Sequence, residues 1–354
     1  MQEQPLWPVT ICGDAAMRVI LRMDSRESDP LPSKNPLPPG EARVRVVPRG
    51  SGRPAFARPN PHPDPLPEGE RGTVVAVFAR SFYLADNTGG LACIGPPGLG
   101  RGPLNLLCAL PGDLDWPSRG LRPGMVARRD GMILRIDGIG AFSLDGVAIW
   151  RPAPPPGNWS PETLAAGLAA LAAASPGERT DGFAPLVAPL ARGRFDELAA
   201  SPTAAPLLRL AIPAIAALAE WLAAGGEGVP GAAADMLIGL GPGLTPSGDD
   251  LLGGAMIALH AMGQAAVAAR LAAWALPRAE TRTGAISRAH LACAAAGEGS
   301  ASLHDFLTAL LTADKTGLAA AVAALAAIGH SSGWDMLAGA TLACESVLRA
   351  GFNA

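Results

Sequence analysis

Two short stretches of the chain carry nearly the same polar residues in the same order. Residues 247–255 read SGDDLLGGA, residues 332–340 read SGWDMLAGA, and six of their nine positions agree. Each copy places a serine three residues ahead of an aspartate, Ser247 with Asp250 and Ser332 with Asp335, and then runs into an apolar stretch without proline. A hydroxyl at a helix start followed by a carboxylate in the first turn suits the positive end of a helix dipole. Two such helices packed side by side, N-termini together, would gather hydroxyls and carboxylates around one small space. The matched Gly254 and Gly339 are then expected to face the neighbouring helix, where only a bare backbone fits.

The loops leading into these helices add to the inventory. The first, GLGPGLTPSGDD from Gly239 to Asp250, supplies Thr245, Ser247, Gly248, Asp249 and Asp250. Capping alone accounts for Ser247 and one aspartate, and leaves Thr245 and the second aspartate without a role. Asp249 and Asp250 stand about 100° apart on a helix, so both can border one cavity but cannot point the same way. The second loop brings His330, Ser331, Ser332, Gly333, Trp334 and Asp335: an imidazole, two hydroxyls, an indole and a carboxylate. Between them, Thr281 to Leu291 offers Ser287 and Arg288. Arg288 is the candidate anion clamp, since a planar guanidinium grips a carboxylate or phosphate in two-pronged fashion. Its alternative is a structural pairing with Asp250 or Asp335. His260, His304 and Glu298 lack comparable company and read as ordinary.

The elements that must position these residues follow from periodicity. The 354 residues are 49% hydrophobic and 17% charged, with aromatics at 5%. Ala and Leu supply much of the apolar content, so closely packed helices are expected. Helices are predicted over 161–174, 203–224, 250–263, 264–276, 282–296, 301–313, 316–328 and 334–350. Upstream, TVVAVF (73–78), SFYLAD (81–86), GLACI (90–94), MILRID (131–136) and GVAIW (146–150) read as short strands between turn residues. The expected architecture is α+β: a small β-rich N-terminal domain over 1–150, a linker over 151–160, and a mainly α-helical C-terminal domain over 161–354. Residues 24–72 hold 12 of the 35 prolines and repeat the phrases PLPPGE and PLPEGE. Such a segment offers little to a core and is expected to be a disordered, dispensable insertion.

Composition also excludes some functions. A net charge of −3 leaves no footprint for nucleic acid or an anionic membrane. The five cysteines are scattered with no C-x-x-C pair, which fits a reduced cytoplasm rather than a zinc site or disulfide framework. The N-terminus does not read as a signal peptide. The apolar window 204–224 contains Arg209, Pro213 and Glu220 and is read as a buried helix, not a membrane span.

The motifs GLGPGLTPSGDDLLGG, T-x-T-x-x-I-S-R-x-x-L and IGHSSGWDMLAG together resemble the family containing the AllH-type subunit of bacterial oxamate carbamoyltransferase. The resemblance implies carbamoyl transfer between oxalurate and phosphate, giving oxamate and carbamoyl phosphate, in anaerobic allantoin breakdown. It also implies partner subunits, one of them like an acyl-CoA synthetase. On that footing, His330, Asp250, Asp335 and Thr245 are the candidate catalytic groups. Arg288, Ser247, Gly248, Asp249, Ser287, Ser331, Ser332, Gly333 and Trp334 are the candidate binding groups for a small anionic substrate. Helix N-termini and Arg288 would hold the anions, and His330 with the Thr245 and Ser332 hydroxyls would polarise the carbamoyl oxygen. The aspartates would accept from amide N–H groups, orient His330 or Arg288, or form a shell for a divalent cation. No cofactor is required by the sequence. Two other readings compete: a Mg²⁺-dependent hydrolase or phosphotransferase on helix-borne aspartates, and a non-catalytic anion-binding scaffold subunit.

Overall fold

The computed structural model describes residues 5–23, 71–174, 180–194 and 205–351. The proline-rich stretch 24–72 lies outside them, save Arg71 and Gly72, which open a strand. The architecture is α+β: a β-barrel followed by a mostly helical region.

The barrel is built from β1 (Leu6–Gly13), β2 (Arg71–Val77), β3 (Phe82–Ala85), β4 (Leu91–Gly95), β5 (Asn105–Cys108), β6 (Val126–Asp130), β7 (Ile133–Ile136), β8 (Gly140–Ser143) and β9 (Ala148–Trp150), with helix α1 (Asp14–Leu21) after β1. The strands run β5-β4-β3-β2-β6-β7-β8-β1-β9, and a further β1–β5 pairing closes the ring. Closure removes the exposed edges of an open sheet. Alternation sets the faces: Phe82 and Leu84 of β3 are buried, whereas Tyr83, opposite Cys93 of β4, turns the other way. Inside, Trp116 packs edge-on against Trp7 at 5.4 Å and Phe82 at 5.0 Å between ring centres.

Five predicted strands coincide with β2, β3, β4, β7 and β9, while β1, β5, β6 and β8 went unread. The charges of β6, Val-Ala-Arg-Arg-Asp, look like a turn. Yet Arg129 points inward and donates to the carbonyls of Ile20 (3.1 Å) and Leu21 (3.2 Å) at the end of α1. A buried guanidinium there meets carbonyls that the helix itself cannot satisfy.

The helical region contains α2 (Pro161–Ala174), α3 (Ala184–Ala191), α4 (Pro206–Ala223), α5 (Ser247–Ala261), α6 (Ala265–Arg282), α7 (Ala285–Ala295), α8 (Ala301–Leu311), α9 (Lys315–Ala326) and α10 (Ser332–Ala350), with a 3-10 turn over Ala232–Leu237. All eight predicted helices have counterparts; α3 and the 3-10 turn were not foreseen. Small residues let backbones close: a Cβ on Gly167 of α2 would lie 2.0 Å from the Leu310 carbonyl oxygen of α8. α4 is long and apolar enough to cross a membrane by length and composition, and half of its apolar window is buried within the protein. The barrel touches the helices where the Ala301 N–H donates to the Arg101 carbonyl (2.9 Å) and Trp150 meets His304.

Candidate functional site

The two repeated segments form α5 and α10, which run side by side in the same direction. Their approach is reciprocal. A Cβ on Gly254 would sit 2.0 Å from the Met336 carbonyl oxygen, and one on Gly339 would sit 1.9 Å from that of Leu251. Gly254 matches Gly339 and Leu251 matches Met336 in the repeat, so a local pseudo-twofold axis relates the helices.

The symmetry extends into the incoming loops. The Leu240 N–H donates to the Leu237 carbonyl (3.0 Å) and the Gly248 N–H to that of Leu240 (2.9 Å). In the second copy Ile328 donates to Leu325 (2.9 Å) and Gly333 to Ile328 (3.2 Å). Gly241 (φ 118°) and Gly329 (φ 59°) then turn the chain in the left-handed region that favours glycine. Gly248 and Gly333 press on the carbonyls of Leu237 and Leu325, at 1.9 and 1.8 Å from a notional Cβ. The first loop carries three more residues than the second between these anchors, and its tip, Pro242 to Leu244, is exposed.

This geometry exchanges partners between the copies. The hydroxyl of Ser332 faces Asp250, and that of Ser247 faces Asp335. Thr245 Oγ1 lies 2.9 Å from Ser332 Oγ. Asp335 is fully buried and its Oδ1 accepts from the Phe183 N–H at 2.6 Å. Asp250 is 8% exposed. One oxygen on each, Oδ2, is buried without a hydrogen-bond partner among the described residues. Burial drives Asp250 well above the ordinary value of 3.8; the Asp335 and Asp249 charges add, while the Ser332 and Thr245 hydroxyls pull the other way. Burial also raises Asp335, against the Phe183 N–H and the hydroxyls of Ser247 and Ser331. The site is thus a pair of buried carboxyls that resist joint ionisation.

Asp249 takes a different part. Its Oδ1 accepts from the Gly239 N–H (2.8 Å) and its Oδ2 from the Ser287 hydroxyl (2.7 Å), tying the glycine loop to α7. Arg288 is engaged by the Thr283 carbonyl (2.9 Å) and by Glu280 (3.4 Å), not by either paired aspartate. The His330 side chain is 92% exposed and 3.8 Å from Asp181, outside the buried cluster. Trp334 is buried in the helical core. Among the described residues, no group of three or more His, Cys, Asp or Glu side chains is placed to hold a metal ion.

Two neighbours escaped the sequence reading. The turn at Gly182–Phe183 anchors Asp335; a Cβ on Gly182 would fall 2.3 Å from Asp335 Oδ1. Tyr83, the chain's single tyrosine, reaches from the barrel toward Asp250: burial raises its phenol first, with Cys93 and the Asp250 charge adding. Neither has a local sequence signal beyond the rarity of tyrosine. A cavity of about 870 Å³ lies elsewhere, lined by Leu168, Ala172, Arg192, Arg194 and Glu345; none of the paired polar residues borders it.

Residues 237–344 match the family model described as oxamate carbamoyltransferase subunit AllH. The AllH match opens at Leu237, the carbonyl that Gly248 packs upon, and closes inside α10. It therefore takes in both copies of the repeat and the helices between them, and none of the barrel. No curated protein and no solved structure matches the chain.

Proposed function

We propose that this chain is a subunit of a carbamoyltransferase that converts oxalurate and phosphate to oxamate and carbamoyl phosphate, as in anaerobic allantoin breakdown. Partner subunits, one of them like an acyl-CoA synthetase, would work beside it. The AllH match spans both copies of the repeat, which supports the family of reactions. The observation that carries the reading is the opposed Asp250 and Asp335, each with one buried oxygen left for a ligand.

The chemistry needs such a pair. A phosphate oxygen attacks the carbamoyl carbon, and the bond from that carbon to the nitrogen of the oxamate portion breaks. The attacking phosphate hydroxyl gives up a proton and the departing nitrogen gains one, so a carboxylate and a carboxylic acid side by side can serve as base and acid. Burial raises both carboxyls, and the Asp335 charge raises Asp250 further, which favours one protonated and one ionised partner. The Thr245 and Ser332 hydroxyls stand where a carbonyl oxygen could be polarised.

The test is reconstitution with the products of neighbouring genes and an assay for carbamoyl phosphate from oxalurate and phosphate. Asp250→Asn and Asp335→Asn should each lower kcat about 100-fold or more, within the range for lost acid–base groups, while the protein stays folded. Full activity in both variants would overturn the reading.

A further inference from the structure

We propose that the space between Asp250 and Asp335 binds the uncharged primary-amide end of its ligand, –C(=O)NH₂, and discriminates against a carboxylate or phosphate in the same position. The inference rests on the paired repeats being the substrate site, as above, and adds which end of the substrate they hold.

Helix N-termini ordinarily attract anions through their free N–H groups. Here five of those groups are already used. The N–H groups of Asp249 and Asp250 both donate to the Pro246 carbonyl (2.9 and 3.0 Å), that of Gly248 to Leu240, that of Gly333 to Ile328, and that of Asp335 to Ser331 (2.9 Å). No lysine or arginine acts on either aspartate among the described residues, and Arg288 is engaged by Glu280 and Thr283. An anion placed between the carboxyls would meet two more acidic groups, a third at Asp249, and no cation.

Hydroxyls and the Phe183 N–H serve the two carboxyls in part, and one oxygen on each is left without a donor among the described residues. Among the described residues Asp335 Oδ2 and Asp250 Oδ2 are buried acceptors with no hydrogen-bond partner, and a buried polar atom without a partner is costly. An amide NH₂ supplies two N–H groups to such acceptors. Its carbonyl oxygen accepts in return from whichever carboxyl retains a proton, or from the Thr245–Ser332 hydroxyl pair. A carboxylate offers no donor and adds charge, so a site built this way rejects it strongly. The groups facing the pair are Thr245, Ser247 and Asp249 on the first copy and its loop, Ser331 and Ser332 on the second, the Phe183 N–H, and Tyr83 from β3.

Oxamate and oxalate make the test, since they share a frame and differ at one end, amide against carboxylate. Calorimetric titration of the full chain at neutral pH should show oxamate binding at least ten times more tightly than oxalate. Asp250→Asn, which turns an acceptor into a donor, should shrink that ratio below about three. Equal or tighter oxalate binding, no binding of either ligand at millimolar concentration, or oxamate binding only with a divalent cation would each overturn the inference. The wild-type comparison stands even if a variant fails to fold. Carbamoyl phosphate formation by the reconstituted complex is scored separately. Activity without amide preference sinks this inference alone; amide preference without activity sinks the proposed reaction alone.

Discussion

Adding one methyl group at Gly254 should separate the two halves of the site. A Cβ there would stand 2.0 Å from the Met336 carbonyl oxygen, whereas ordinary contact begins near 3.4 Å. The obstacle is backbone, so no side chain can swing away and α10 must retreat by over an ångström. Overpacking of this kind costs roughly 3 kcal/mol, the upper end of the usual range. Alanine's better helix propensity returns about 1 kcal/mol, leaving a net loss of about 2 kcal/mol. That corresponds to a fall in Tm of roughly 4–8 °C for a helical region of this size. Gly339→Ala, with its Cβ 1.9 Å from the Leu251 carbonyl, should behave alike. Gly253 is the internal control: one residue away in the same helix, its Cβ would meet only the Ala294 Cβ at 3.6 Å. Gly253→Ala should be neutral or slightly stabilising. Thermal denaturation of the three variants decides the matter. If Gly254→Ala and Gly339→Ala melt within a degree of Gly253→Ala, the close reciprocal packing of α5 and α10 is wrong.

Other outcomes follow from the same geometry. Asp335 is raised by burial, so it binds more proton folded than unfolded, and its contribution to stability declines as pH climbs from 3.8 through the elevated value. Asp335→Asn, which keeps an acceptor for the Phe183 N–H, should therefore gain in Tm relative to wild type between pH 4 and pH 8; a difference that stays constant or shrinks over that span would refute the assignment. Asp249→Ala should cost about 1–3 kcal/mol, because it strands the Gly239 N–H and the Ser287 hydroxyl together, and urea denaturation should show it. Arg129→Met should lower stability by a comparable amount by stripping the carbonyls of Ile20 and Leu21 of their donor; an unchanged urea midpoint would mean water serves as well.

The helical half was legible because each of its helices is a local pattern. Ala/Leu periodicity marked α2 and α4 to α10, and α3 was hidden by its two prolines, Pro185 and Pro189. The barrel was half legible. β1 contains Pro8, and its place depends on pairing with β5, β8 and β9, partners over ninety residues away that no window of sequence contains. The site divides likewise. The repeat announced Asp250 and Asp335, and the 100° step between adjacent helix positions explains why Asp249 turns to α7 while Asp250 turns to α10. The exchange of Ser247 and Ser332 between copies is a tertiary consequence of the parallel packing. So is the engagement of Arg288 by Glu280, a residue on the preceding helix that offered no motif.

A double-mutant cycle on Asp250 and Asp335 tests the central claim, that the two repeats make one site. Thermal or urea stability is measured at pH 8 for wild type, Asp250→Asn, Asp335→Asn and the double variant. The Asp335 charge raises Asp250, so the two must couple: the first substitution should relieve the repulsion and the second should add little of the same gain. A coupling energy of about 1 kcal/mol is expected for groups in direct interaction. Additivity within about 0.3–0.5 kcal/mol, the behaviour of distant sites, would contradict the account.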